Sequence, residues 1–115
     1  MNVKGIQISR DAEMDLCDGR DFYESQERGV GEYFWDSLIS DIESLLVYAG
    51  IHRKEYGYYR MLSRRFPYSI YYDVVEEVAY VIAVLPMRRD PAWYKEKMSK
   101  RNYTSGVQEY PIQDA

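Results

Sequence analysis

The chain is 115 residues long, 46% hydrophobic and 30% charged, with a formal net charge of −4 and a single cysteine. A chain of this length fits one domain, which buries roughly two-thirds of the surface its unfolded form exposes, so one modest core is expected. The lone Cys17 excludes an internal disulfide, no apolar run approaches the ~20 residues that cross a bilayer, and Met1 to Ile6 lacks the apolar stretch of a signal peptide, which makes the cytoplasm the expected location.

The net charge hides an asymmetry. Residues 1–50 carry four basic side chains against eleven acidic ones, whereas residues 51–101 carry eleven basic against six acidic, with Glu109 and Asp114 beyond them. Such a division predicts one surface attractive to phosphates or to an acidic protein segment and another that repels them. The acidic total argues against a general nucleic-acid binder.

In chain order, Val3 to Ile8 alternates weakly, as an N-terminal strand does. Ser9 follows as a helix N-cap, with Asp11 and Glu13 in the first turn where the helix dipole favours negative charge. The first helix is predicted to run to about Glu27, with Ala12, Leu16, Gly19, Arg20 and Tyr23 on one stripe. Gly19 inside it costs roughly 1 kcal/mol relative to alanine, which points to close packing there. Arg28 to Gly31 reads as the turn of a helix hairpin. A second helix is predicted from about Gly31 to Ala49, with Phe34, Leu38, Ile42, Leu45 and Ala49 facing inward and Gly50 as its stop.

Residues 51–56 read as a polar loop, after which the period becomes alternating. Strands are predicted near Tyr58 to Phe66, Tyr68 to Val75 and Val78 to Leu85, joined closely enough to form an antiparallel meander. Glu76-Glu77 is the polar break before the last strand. Asp90 is placed to cap a short helix with Pro91 at its first position. The expected architecture is α+β: an N-terminal strand, a helical hairpin, a three-stranded meander and a short C-terminal helix, in one domain over residues 1–98 with a flexible tail over 99–115.

His52 is the only histidine and lies in a polar loop, and neither a His/Cys cluster nor a phosphate loop nor a dinucleotide fingerprint is present, so no metal and no cofactor is expected. The chemistry lies instead in arginines interleaved with aromatic residues. Alternation along a strand would place Arg60, Leu62, Arg64 and Phe66 on one face and Tyr59, Met61, Ser63 and Arg65 on the other. Arginine's planar fork suits carboxylate or phosphate, and Arg88, Arg89, Trp93 and Tyr94 beyond the last strand extend the same group.

The run from Gly57 through Arg60, Arg64-Arg65-Phe66-Pro67-Tyr68 and Tyr71-Tyr72 to Arg88-Arg89-Asp90-Pro91 and Trp93, preceded by Ala12, Leu16 and Tyr23 and then by Phe34, Ile42 and Leu45, resembles the RelE/ParE superfamily of bacterial toxins. The resemblance covers roughly residues 3–97. It implies a compact toxin of a type II toxin-antitoxin pair, with a role such as plasmid stabilisation, neutralised by a small cognate antitoxin whose extended or helical segment wraps the sheet and helix hairpin. RelE-like members cleave messenger RNA on the ribosome, whereas ParE-like members poison DNA gyrase, and the Phe-Pro-Tyr and Arg-Arg-Asp-Pro segments resemble the ParE side. Tyr59 stands where many relatives carry arginine, and Pro86-Met87 where many carry histidine and a small residue. Both departures weigh against ribonuclease chemistry, since proline offers neither a proton nor a side-chain hydrogen bond.

The expectation is therefore a ParE-like toxin acting by protein contact, with Arg60, Arg64, Arg88, Arg89 and Trp93 touching the target, DNA gyrase. The first alternative is a ribosome-dependent endonuclease in which Arg60, Arg65 and Arg89 neutralise phosphate and Tyr94 or Lys95 moves a proton. The second is a non-toxic binding module. Membrane association is not expected, and a homodimer is left open.

Overall fold

A computed structural model describes residues 2–101. The elements are β1 (Gly5–Ile8), α1 (Arg10–Gln26), α2 (Val30–Glu43), α3 (Leu45–Tyr48), β2 (Lys54–Glu55), β3 (Tyr58–Leu62), β4 (Tyr68–Val75), β5 (Val78–Pro86) and α4 (Pro91–Ser99). The fold is α+β. Its meander β3-β4-β5 sits inside a five-stranded sheet of order β1-β5-β4-β3-β2, widened by β1, which runs parallel to β5, and by β2, a two-residue strand in what the sequence presents as a loop.

The helix hairpin covers one face. Phe34, Leu38, Ile42, Leu45 and Ala49 are all fully buried, together with Ala12 and Leu16 of α1 and Ile6, Ile70, Tyr72, Ala79 and Val81 of the sheet. The spacing of those side chains along α1 and α2 accounts for the packing. Gly19 lets the helices close, because a Cβ there would lie 2.4 Å from the Phe34 ring. Ser9 caps α1 as expected, its hydroxyl accepting from the Ala12 N–H at 3.1 Å. Arg20 departs from the stripe and lies outside, its guanidinium over the Trp35 ring.

Two boundaries differ from the sequence reading, and Asp41 is involved in both. The long second helix is broken at Ser44, whose hydroxyl donates to the Asp41 carbonyl at 2.6 Å and so competes with the helical ladder. The Asp41 carboxylate accepts from Ser63 Oγ at 2.7 Å and from the Arg64 N–H at 3.2 Å. A carboxylate from α2 thus captures the backbone donor where a longer strand would continue, and β3 ends at Leu62 rather than Phe66. Arg64 and Arg65 consequently sit in a bend, and the strand alternation assigned to them does not apply.

The opposite face of the sheet carries a second, smaller core of Tyr71, Ile82, Ala83 and Leu85 beneath Tyr94 and Met98 of α4. A register shift between Tyr71 and Tyr72 pairs them with Ala83 and Val81, leaving Ile82 as the extra residue. The bulge turns Ile82 and Ala83 toward the same core, which strict alternation would forbid. Asp90 caps α4 by accepting from the Trp93 N–H at 2.9 Å, with Pro91 leading the helix. Of the segment read as a tail, Ser99 closes α4 and Arg101 packs against α1, while residues 102–115 lie outside the described residues.

Candidate protein-contact surface

One end of the sheet gathers most of the arginines singled out by the sequence. The β3–β4 bend and the β5–α4 connection lie side by side there, joined by the Met87 N–H donating to the Pro67 carbonyl at 2.9 Å. Arg64 and Arg65 stand on the first of these segments and Arg88 and Arg89 on the second, all four exposed. Among the described residues no carboxylate pairs with Arg64, Arg65 or Arg88. The Arg89 guanidinium lies 4.9 Å from the Trp93 ring centroid, and the Lys97 ammonium, one helical turn along α4, lies 5.5 Å from the same ring. Two cations thus lie against one aromatic side chain.

Beside this rim a cleft of about 640 Å³ opens between α1 and the end of the sheet, lined by Asp15, Phe22, Tyr23, Met87, Arg88, Arg89, Trp93 and Lys97 among others. Phe22 is 54% exposed and Met87 38%, so apolar surface meets water in the cleft that Arg88 and Arg89 also line. Apolar anchors surrounded by guanidinium groups are the composition of a protein-binding hot spot.

The inner wall of the cleft rests on a buried ion pair. β1 ends opposite Val81, so past that point β5 has no strand neighbour on the side away from β4. The Asp15 carboxylate accepts the Val84 N–H at 2.9 Å, and Arg101 forks onto both Asp15 oxygens while donating to the Ile82 carbonyl at 3.2 Å. Two side chains thereby stand in for the missing strand and pin the end of α4 to α1. Burial pushes the Asp15 carboxyl above its ordinary value, and Arg101 and the Val84 N–H pull it part of the way back. On Arg101 burial acts to lower the guanidinium's pKa, but the carboxylate of Asp15 outweighs it.

The other sequence candidates are dispersed. Arg60 stands on β3 opposite Tyr71, where its Nε donates to Ser69 Oγ at 2.9 Å and lies 3.6 Å from the Glu55 carboxylate, away from the cleft lining. The Tyr94 hydroxyl donates to the Pro86 carbonyl, and burial raises its pKa, which suits a packed phenol better than a proton carrier. Lys95 lies on the exposed side of α4. Arg88, Arg89 and Trp93 come together in the cleft; Arg60, Arg64, Arg65, Tyr94 and Lys95 do not line it. Phe22, Met87, Lys97 and the Asp15–Arg101 pair were not legible as members of the site. Lys97 did carry a signal, since it follows Trp93 at the i+4 spacing that brings helical side chains together.

A fold of this topology is found among known proteins, and a family model matches most of the chain. The family model described as the ParE toxin of the type II toxin-antitoxin system parDE matches residues 6–91, and the chain belongs to that family. Among solved structures, the chromosomal ParDE toxin-antitoxin system from P. aeruginosa superposes with a TM-score of 0.68 at 16% identity, covering 75% of this chain and 98% of that one. At that identity the likeness shows a shared fold. No curated protein sequence matches the chain.

Proposed function

We propose that this ParE-family chain arrests growth by gripping DNA gyrase through the arginine rim and the cleft beside it, and that a cognate antitoxin neutralises it in the cytoplasm by covering the same end of the fold. The observation that supports this reading is the set of three exposed guanidinium groups, on Arg64, Arg65 and Arg88, with no acidic partner among the described residues, on two adjoining segments of which the second, with Arg88 and Arg89, lines a cleft with exposed Phe22 and Met87. Arginine forks recognise carboxylates in a bidentate manner, and an apolar pocket at their centre supplies the desolvated anchor that a stable complex needs.

The contact rather than the catalytic reading is supported by how the nuclease candidates sit. Tyr94 is committed to a backbone carbonyl and Arg60 is occupied by Ser69 and Glu55, so neither of these two candidates is free to serve phosphate chemistry. Induction of the chain without a partner is expected to halt growth and trigger DNA-damage signalling while transcripts stay whole. The double substitution R88E/R89E is expected to relieve the arrest with the protein still folded. Discrete new transcript ends after induction would replace this reading with the endonuclease, and unimpaired growth with abundant soluble protein would leave only a binding module.

A further inference from the structure

The loop between α3 and β2 is fastened to the sheet through one phenol. Tyr72 of β4 is fully buried, and its hydroxyl accepts from the Gly50 N–H at 2.9 Å. The same oxygen lies 2.6 Å from His52 Nδ1. An amide N–H can only donate, so the hydroxyl gives its own proton to Nδ1, which puts the imidazole proton on Nε2. Gly50 and His52 are thus both tied to Tyr72, whose hydroxyl makes no other hydrogen bond among the described residues.

What this loop holds in place is the edge of the sheet. The Arg60 N–H donates to the Arg53 carbonyl at 2.9 Å, and the two residues that follow Arg53 form β2, paired with Tyr58 and Tyr59. The Lys54 ammonium lies 4.8 Å from the Tyr59 ring centroid, and Tyr59 stacks on Tyr72 at 5.1 Å, so β2 leans on the ring whose hydroxyl holds the loop. The Glu55 carboxylate lies 3.6 Å from Arg60 Nε. A two-residue strand makes few contacts of its own, so its place depends on the loop that delivers it.

A second proton on the imidazole works against this arrangement twice. It would occupy Nδ1 and meet the hydroxyl's own hydrogen, which would then have to turn into a buried region without an acceptor. It would also add charge to a crowded place. The titratable and charged groups around His52 are Tyr72 of β4, Arg53 beside it in the loop, Lys54 and Glu55 of β2 and Arg60 of β3, the last four lining with it a hollow of about 520 Å³. Three cations meet one carboxylate there, and an imidazolium would make a fourth. Burial already holds the imidazole's pKa below its ordinary value.

We infer that His52 and Tyr72 form a proton-operated latch: unprotonated His52 holds residues 50–55 against the sheet, and its protonation releases them, uncovering β3 at Tyr58 to Arg60 and withdrawing Glu55 from Arg60. Because the folded pKa lies below the free one, the latch is fully closed above about pH 6.5 and opens as pH falls through the folded value. Once open, the edge presents Arg53, Lys54 and His52 as cations and leaves Arg60 without the carboxylate that faces it at neutral pH. This inference does not depend on the gyrase reading, and its test needs no partner.

The experiment is an NMR titration of the full chain, following the imidazole nitrogens of its one histidine together with amide exchange corrected for the intrinsic effect of pH. At neutral pH the Nε2–H tautomer is expected, titrating below the ordinary histidine value. Across that titration, protection of the Gly50 and Arg60 N–H groups should fall roughly fivefold or more while Leu38 and Ile42 of α2 keep theirs. His52→Gln supplies a carbonyl that takes the Tyr72 proton without titrating, so it should hold the protection level over the same range; His52→Ala should lower it at every pH. The Nδ1–H tautomer, a titration at or above the ordinary value, or unchanged protection at Gly50 and Arg60 would each overturn the proposal. So would an equal fall in the His52→Gln variant, or a fall shared by Leu38 and Ile42.

Discussion

The two faces of the sheet are stabilised in different ways. On the hairpin face, two helices lay complete apolar stripes on Ile6, Ile70, Tyr72 and Val81, and the Phe34 ring interlocks with Gly19, Tyr23, Phe66 and Tyr68. On the other face the nine-residue α4 buries only Tyr94 and Met98 and is held down by hydrogen bonds at its ends: the Tyr94 hydroxyl on Pro86, and Arg101 on Asp15. The first face is fixed by packing, which is non-directional and spread over many residues. The second is fixed by a few directional bonds, and it borders the candidate contact surface. Elements held by few buried contacts open most readily, which suits a surface that must receive a partner.

The largest expected effect breaks the packed face. Phe34→Ala removes a fully buried ring at the helix crossing and should cost about 3–5 kcal/mol, read as a fall in the denaturant midpoint at unchanged slope. Arg101→Ala comes next. It leaves the Asp15 carboxylate buried without its cation and should cost roughly 3 kcal/mol, whereas the double change Asp15→Leu with Arg101→Met should recover much of that loss. If the double variant were no more stable than the single one, the pair would be acting through the Val84 and Ile82 backbone groups rather than through charge.

The packed face was the legible one. Ala12, Leu16, Phe34, Leu38, Ile42 and Leu45 repeat at helical spacing, Ser9 and Asp90 precede their helices as caps, and Gly19 announces a close approach, all of which are local signals. What the sequence could not disclose depends on partners far along the chain. Asp41 ends β3 from 22 and 23 residues away, and Asp15 meets Arg101 across 86. The bulge at Ile82 obeys no composition rule, because an apolar strand reads alike on either face once both are covered. The arginines were visible as a group, yet the bend that brings Arg64 and Arg65 beside Arg88 and Arg89 follows from a hydrogen bond of Asp41 that no periodicity encodes.

Alkaline pH sharpens the comparison because buried phenols lie on both faces. Tyr68, at the hairpin side, is pushed by burial up to about 12, while Tyr72 on the same side, Tyr71 under α4 and Tyr94 on α4 itself are also raised by burial. Each folded pKa lies above the ordinary phenol value, so this stability is complete below about pH 10 and is lost as pH rises from there toward the folded values. Tyr68 alone accounts for roughly 2–3 kcal/mol of that loss by pH 12. Phenylalanine at Tyr68 should flatten the alkaline limb of the stability curve more than phenylalanine at Tyr94, whose hydroxyl also holds Pro86. His52 acts at the other end of the scale: burial lowers its pKa, so its contribution is present above about pH 6.5 and declines as pH falls.

The smallest effect separates the faces most cleanly. Ser9 and Asp90 make equivalent N-cap hydrogen bonds at the starts of α1 and α4, and replacing either with alanine should cost its helix about 1 kcal/mol. α1 is locked into the main core, so Ser9→Ala should lower the global unfolding free energy by that amount. α4 touches the sheet through few side chains, so Asp90→Ala should leave the global midpoint nearly unchanged and instead accelerate amide exchange across residues 93–99. Equal shifts in the global midpoint for both variants would mean that α4 unfolds only with the whole domain. Trp93 and Lys97 would then be rigid parts of the contact surface, and a partner could not gain access by lifting the helix that carries them.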